Sequence, residues 1–248
     1  MSFLENPNLP QSDIGLVAVS RTYREIPEAL RGLGIETVEI SPDRRLDASV
    51  SSHADMLCHH LGGRKIVCAK GNMALIDELS KYGFTVSESN DCIQKPYPAD
   101  IALNALRIGK KLFAKNSYLD HAIVRYCEDQ KIRIIPVRQG YAKCSAAVID
   151  ERAIITADEG IAEAGVREGL CVLKISPGFI LLDGCDYGFI GGTCGMVGKN
   201  TIAFTGKINS HPDADKIINF LTMRRIQIVE LLDSPLIDVG GILPLMEK

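Results

Sequence analysis

The residues of this chain best suited to chemistry fall in a few short clusters. His53 and Asp55 stand two apart in Ser52-His53-Ala54-Asp55, and His59 with His60 follows shortly after. On a strand, residues two apart face the same side. The pair therefore reads as an imidazole and a carboxylate directed into one pocket, with the imidazole able to act as acid or base. The ordinary alternative is a solvated surface pair. The run H-x-D-x-x-x-H-H contains metal-ligand types, but a strand separates His53 from the following hairpin tip by roughly 20 Å, at ~3.3 Å per residue. Zinc ligands lie ~2 Å from their ion. No metal site and no cofactor are expected.

Eight cysteines are present: Cys58, Cys68, Cys92, Cys127, Cys144, Cys171, Cys185 and Cys194. None form a C-x-x-C pair, so neither a zinc ribbon nor a thioredoxin-like motif is indicated. Most sit in apolar stretches and read as buried, reduced, small hydrophobes. Cys194, in Gly192-Thr193-Cys194-Gly195, is the one weighed as a nucleophile, against an ordinary role as a packed strand residue. Asp100 could hold a ligand cation or cap a strand. Tyr97 and Tyr141 could offer hydroxyls to a polar ligand or fill space. The Gly-rich stretch 183–192 lacks the G-x-G-x-x-G spacing of a dinucleotide site and reads as a turn or pocket rim.

The bulk numbers narrow the setting. The chain has 248 residues, 46% hydrophobic and 24% charged, with a formal net charge of −3, which suits a globular protein able to bury a core unaided. Without clustered Lys and Arg, neither a nucleic acid nor an anionic membrane is an expected partner. The start MSFLENPNLPQSD does not read as a signal peptide, and no apolar run reaches the ~20 residues that span a bilayer. A cytoplasmic protein is expected, and a homo-oligomer is allowed.

The elements that must position these residues repeat. Helical patterns cover 24–34, 73–83, 118–130, 160–169 and 211–225. Each is preceded by a β-branched run (14–20, 65–70, 111–116, 153–158, 201–206) and followed by another (37–41, 84–89, 132–137, 171–176, 226–231). Four of the preceding runs have a further strand before them, joined by turns at Gly62-Gly63, Gly109-Lys110, Asp150-Glu151 and Gly198-Lys199-Asn200. The unit is strand, tight turn, strand, helix, strand, recurring at roughly 45 residues. Asp55, Asp100, Lys143, Thr193 and Ile242 fall at its corresponding points. LLDGCDYGFIGG (181–192) echoes LLDSPLIDVGG (231–241). The first unit lacks its opening strand, and the C-terminus has one to spare in 240–246. The expectation is a single domain over 1–248 of five units (14–41 plus 240–246; 53–89; 97–137; 141–176; 190–231), with the last strand closing the ring and removing exposed edges.

Five ββαβ units closed by the C-terminal strand resemble the pentein superfamily of guanidino-group-modifying enzymes, an α/β five-fold pseudo-symmetric propeller. The resemblance covers about Asp13 to Met246. That superfamily includes arginine and agmatine deiminases, dimethylarginine hydrolases, amidinotransferases and a non-catalytic ribosome anti-association factor. It implies a central pocket in which acidic residues grip a guanidinium, a Cys attacks its carbon and a His moves protons.

Matched to that pattern, Asp55 keeps the Asp of the first pocket strand, and Asp100 keeps the Asp of E-G-G-D. Tyr97 stands in place of the catalytic Glu. Tyr141 and Lys143 replace the His and Asp of H-x-D. Pro244 stands in place of the terminal Cys. The resemblance thus implies a pentein-fold protein that binds a small guanidinium, amidine or amino-acid-like ligand through Asp55, Asp100, Tyr97, Tyr141 and Lys143, without the usual Cys-His-Glu chemistry. Two alternatives stand beside it. One is an amidine hydrolase with a rearranged site built on Cys194 and His53. The other is a protein-binding scaffold.

Overall fold

The computed structural model of the protein describes all 248 residues, Met1–Lys248. The chain opens with β1 (Ser2–Phe3), β2 (Ile14–Ser20), α1 (Glu25–Gly32) and β3 (Glu36–Ile40). A short helix α2 (Ala54–Leu57) leads into β4 (Cys58–Gly62), β5 (Lys65–Cys68), α3 (Met73–Lys81) and β6 (Thr85–Glu88). Next come β7 (Leu106–Ile108), β8 (Lys111–Ala114), α4 (His121–Asp129) and β9 (Arg133–Pro136). They are followed by β10 (Ala146–Asp150), β11 (Ala153–Thr156), α5 (Glu159–Arg167) and β12 (Cys171–Lys174). The chain ends with β13 (Cys194–Gly198), β14 (Thr201–Phe204), α6 (Ala214–Met223), β15 (Gln227–Glu230) and β16 (Leu243–Glu247).

These elements form five small mixed sheets: β1-β16-β2-β3, β4-β5-β6, β7-β8-β9, β10-β11-β12 and β13-β14-β15. In the last four, an antiparallel hairpin is followed by a helix that crosses to a parallel third strand. The first sheet gets its hairpin partner from the other end of the chain. β16 pairs antiparallel with β2, Leu243 opposite Ala18. No sheet closes on itself, so the five stay separate. The polar N-terminus supplies a strand that the sequence pattern does not announce. β1 pairs with β16, Phe3 opposite Met246, and covers the edge that β16 would otherwise expose.

Local chemistry accounts for the elements. The helices carry apolar stripes at i, i+3 and i+4, such as Ile26 and Leu30, Ile123 and Cys127, and Ile217, Phe220 and Leu221. Asn72, Asp120 and Asp158 cap α3, α4 and α5, their side chains accepting from the backbone N–H of Leu75, Ala122 and Ile161. At the first hairpin, Gly62 and Gly63 both take positive φ, 115° and 56°. A Cβ on Gly62 would also sit 2.6 Å from the Glu5 carbonyl oxygen, so this turn needs glycine twice over, for conformation and for close approach.

The apolar core lies between each sheet and its helix and runs on between neighbouring units. One cluster joins the units that contain β2, β5 and β8. Another joins those of β11 and β14. Leu245 of β16 is fully buried in the first of these clusters. Leu245→Ala is expected to lower unfolding free energy by about 2–5 kcal/mol, measured by urea denaturation. A loss under ~1 kcal/mol would show that the C-terminal strand does not anchor the ring.

Candidate functional site

The segments that lead into the hairpins converge on the axis of the ring. Asp55, Lys143 and Gly191 each lie three residues before the start of their hairpin strand, at Cys58, Ala146 and Cys194. His53, Tyr141 and Phe189 lie five before. Asp100 shares this second position, because extending the Leu106–Phe113 pairing sets Ala105 opposite Ala114, the end of β8. The structural register therefore differs from the sequence spacing. Asp55 corresponds to Lys143 and Gly191, whereas Asp100 corresponds to His53 and Tyr141. The spacing misleads because the hairpins differ in length and three of them carry irregular pairing.

His53 and Asp55 do not lie on a strand. His53 is extended, at φ −65° and ψ 125°, and the chain then turns helically over Ala54–Leu57. The His53 carbonyl accepts from the N–H groups of Met56 and Leu57, and Asp55 N–H donates to the Gly240 carbonyl. The turn separates the two side chains, yet both end in one buried chamber. His53 Nδ1 is 3.8 Å from Asp238 Oδ1. The Cys144 thiol donates to Asp55 Oδ2 at 2.8 Å. His53, Cys144 and Asp238 bring ligand-type atoms within 4.8 Å of one another. The Asp238 carboxylate accepts from Phe189 N–H at 2.8 Å and Gly240 N–H at 3.0 Å. Asn104 donates to the sulfurs of Cys144 and Met56 and accepts from Lys143 N–H. The Lys143 ammonium donates to the Gly191 carbonyl at 3.3 Å.

Burial sets the electrostatics of this chamber. Desolvation pushes the Asp55 carboxyl up to about 7, opposed by the Lys143 ammonium and reinforced by Asp238. Desolvation also lifts the Cys144 thiol well above its ordinary value, and the Asp55 and Asp238 charges add to this. His53 is pushed down by burial against the pull of Asp238. Both of its ring nitrogens, and Asp55 Oδ1, have no hydrogen-bond partner.

A second group lies at the mouth. Tyr141 Oη donates to Asp100 Oδ2 at 2.8 Å, while Asp100 Oδ1 is buried without a partner. Burial raises the Asp100 carboxyl. The Tyr97 and Tyr141 rings are 5.4 Å apart, Tyr141 and Phe189 6.3 Å, and Phe189 and Tyr187 6.1 Å. Lys115 Nζ sits 4.7 Å over the Tyr97 ring and donates to its hydroxyl at 2.8 Å. Tyr187 and Phe189 also line a cleft of about 210 Å³ with Gln139, Ser145, Asp158 and Glu159.

The remaining expected residues sit apart from these groups. Cys194 is buried, its thiol directed to the Ile190 carbonyl at 3.4 Å and pushed up to about 12 by desolvation. His59 and His60 lie within β4 and hydrogen-bond the carbonyls of Leu103 and Gly63. A cavity of about 20 Å³ separates them from Asp55 and Lys143, room for about one water. Pro244 lines the same cavity. The sequence reading missed Asp238 and Cys144. Only the echo between 181–192 and 231–241 set Asp238 opposite Phe189, and nothing in the local pattern marked Cys144 as more than a core residue.

Residues 17–243 match a family of unknown function, DUF6873. The chain belongs to that family. No curated protein matches the DUF6873 chain. Among solved structures it is similar to SxtG, an amidinotransferase from Microseira wollei in the saxitoxin biosynthetic pathway, at 12% identity and a TM-score of 0.60, covering 99% of this chain and 97% of that one. It is also similar to the inosamine-phosphate amidinotransferase of Streptomyces griseus, at 11% identity and a TM-score of 0.60, covering 100% and 98%. DDAH from Pseudomonas aeruginosa matches at 8% identity and a TM-score of 0.58, covering 94% and 100%. The DUF6873 chain thus has the pentein fold, and identities this low speak to fold alone.

Two expectations follow from the site. Cys92, Cys171 and Cys185 are exposed and the other five thiols are buried. An Ellman titration of the folded, reduced protein should therefore find three fast thiols, with all eight appearing in denaturant. A fast fourth thiol that maps to Cys194 would restore it as a nucleophile.

The second concerns pH. Burial pushes His59 down to about 3 and His60 to about 4, from an ordinary 6.5. The unfolded chain then binds more protons, so their contribution to stability is lost as pH falls from 6.5 toward 4. Asp55 acts oppositely. Its folded value is raised from 3.8 to about 7, so its contribution is present below about 4 and lost as pH rises through 7. Asp55→Asn should therefore gain stability relative to wild type between pH 4 and 7, by on the order of 1 kcal/mol per pH unit. A stability difference independent of pH would contradict the raised carboxyl.

Proposed function

We propose that this protein binds a small cationic ligand of the guanidinium or amidine class at the mouth of the ring, and that it does so without the thiol chemistry of guanidino-modifying enzymes. The observation that carries the reading is the Asp100 carboxylate, buried with one oxygen unpartnered beside the Tyr141 hydroxyl and the rings of Tyr97, Tyr141 and Phe189. A planar cation satisfies both features, since a carboxylate accepts its N–H groups and aromatic faces attract its charge. Lys115 stacked on Tyr97 is a cation already drawn to one of these faces. The adjacent cleft beside Phe189 has room for the rest of a small ligand, with Asp158 and Glu159 on its wall. The named structural neighbours include amidinotransferases, which supports the same ligand class through fold.

The absence of thiol chemistry is supported by position and by electrostatics. In the motif match read from the sequence, Tyr97, Tyr141 and Pro244 fall where the superfamily's Glu, His and Cys are expected. The thiols near the axis, Cys144 and Cys194, are buried and held protonated, which deprives them of the thiolate that attack requires.

Thermal unfolding against arginine, agmatine, methylated arginines and simple amidines tests the reading. A ligand at ~100 times its Kd adds about 2.7 kcal/mol, and each kcal/mol moves Tm by roughly 2–4 °C at this size. A shift of several degrees is expected with at least one compound, which the wild-type protein leaves chemically unchanged, and Asp100→Asn should abolish the shift. No shift with any compound, or a full shift in Asp100→Asn, would refute the proposal.

A further inference from the structure

We propose that His53, Cys144 and Asp238 form a binding site for a divalent transition cation of the zinc class on the ring axis. The site is separate from the Asp100 mouth and does not depend on what binds there.

His53, Cys144 and Asp238 are at most 2% exposed, and their ligand atoms lie within 4.8 Å of one another. Asp55 Oδ2 is 2.8 Å from the Cys144 sulfur. Metal bonds of ~2.0–2.3 Å in a tetrahedron place ligand atoms ~3.3–3.8 Å apart, so His53, Cys144 and Asp238 need to close by at most about 1–1.5 Å. The backbone already fixes their shell. Phe189 and Gly240 N–H groups orient the Asp238 carboxylate, as outer partners of metal ligands do. A Cβ on Gly192 would run into that carboxylate, and one on Gly240 into His53.

Neither ring nitrogen of His53 has a hydrogen-bond partner. Its 3.8 Å approach to Asp238 is too long for one. A buried imidazole with nothing to donate to or accept from is costly. A cation between His53, Cys144 and Asp238 takes up a lone pair from one nitrogen and removes much of that cost.

Donor chemistry selects the ion. Thiolate with imidazole and carboxylate suits zinc and its neighbours, whereas magnesium and calcium take oxygen ligands. Charge closes as well. On binding, the Cys144 thiol loses its proton to solvent and its sulfur bonds to the cation. The thiolate and the Asp238 carboxylate then neutralise the 2+ charge, and the Asp55 carboxylate is offset by Lys143. Three protein donors from distant parts of the sequence would be pinned together by the ion.

Co2+ alone is the probe, added to reduced, chelator-treated protein both folded and during refolding. The expected result is one equivalent bound, with a near-ultraviolet thiolate-to-cobalt band that Zn2+ displaces. The band should persist in the Cys92, Cys171 and Cys185 triple serine variant and vanish in Cys144→Ser, with affinity at least 100-fold weaker. His53→Gln, checked for native circular dichroism, should weaken binding similarly and serves if Cys144→Ser fails to fold. Zn2+ in excess should raise the wild-type Tm and not that of His53→Gln. No band in wild type, a band that survives Cys144→Ser, a band lost in the triple variant, or unweakened binding in a folded His53→Gln protein would overturn the site.

Discussion

The pairing of β16 with β2 is the constraint on which the rest of the structure depends. It makes a fifth complete sheet from the two ends of the chain, and so turns a row of units into a ring. Only a ring has an axis. Once it exists, the segment before each hairpin must point inward, and whatever residues the sequence puts there become neighbours. β1 completes the arrangement by covering the outer edge of β16, which otherwise would offer unpaired backbone groups to another chain.

Convergence on an axis forces polar groups out of water, and the chain answers this in two ways. Deep in the ring, opposite charges occupy corresponding places, Lys143 in one unit and Asp55 in another, and Asn104 bridges backbone and sulfur. Where compensation is incomplete, the groups stay neutral. Asp55 is lifted toward neutrality and His53 away from protonation, because an unpaired charge in such a place is too costly. At the mouth, aromatic rings replace charges and a single carboxylate, Asp100, faces them. The same fold that in the named neighbours belongs to amidinotransferases here surrounds a chamber whose thiols are protonated and enclosed. The Gly positions around it, Gly191, Gly192 and Gly240, have no room for a side chain, and that tightness keeps the chamber small.

Much of the fold could be read from the sequence because it is written locally. Each helix shows its stripe, each strand its β-branched run, and the segments 24–34 and 73–83 contain α1 and α3. The site was only partly legible. Asp55, Asp100 and Lys143 were legible as corresponding points of the repeat, and Tyr141 through the family motif. Their exact correspondence was not, since Asp100 aligns with His53 and Tyr141 and not with Asp55. A shift of two residues is invisible to a count of spacings when hairpin lengths vary, yet it decides which side chains meet.

By itself the sequence determined the units, their order and the surplus strand at the C-terminus, because hydrophobic period, turn chemistry and helix capping act over a few residues. Tertiary structure alone decided what stands beside what on the axis. Cys144 reads as one more apolar cysteine, and Asp238 as one more loop acid. They meet His53 because sheets built from distant segments pack around a common centre, where hairpin register and close backbone approach set the distances. His53 and Asp55 show the same division. Their adjacency in sequence suggested a pair on one strand face, but a single helical turn sends one to Asp238 and the other to Cys144.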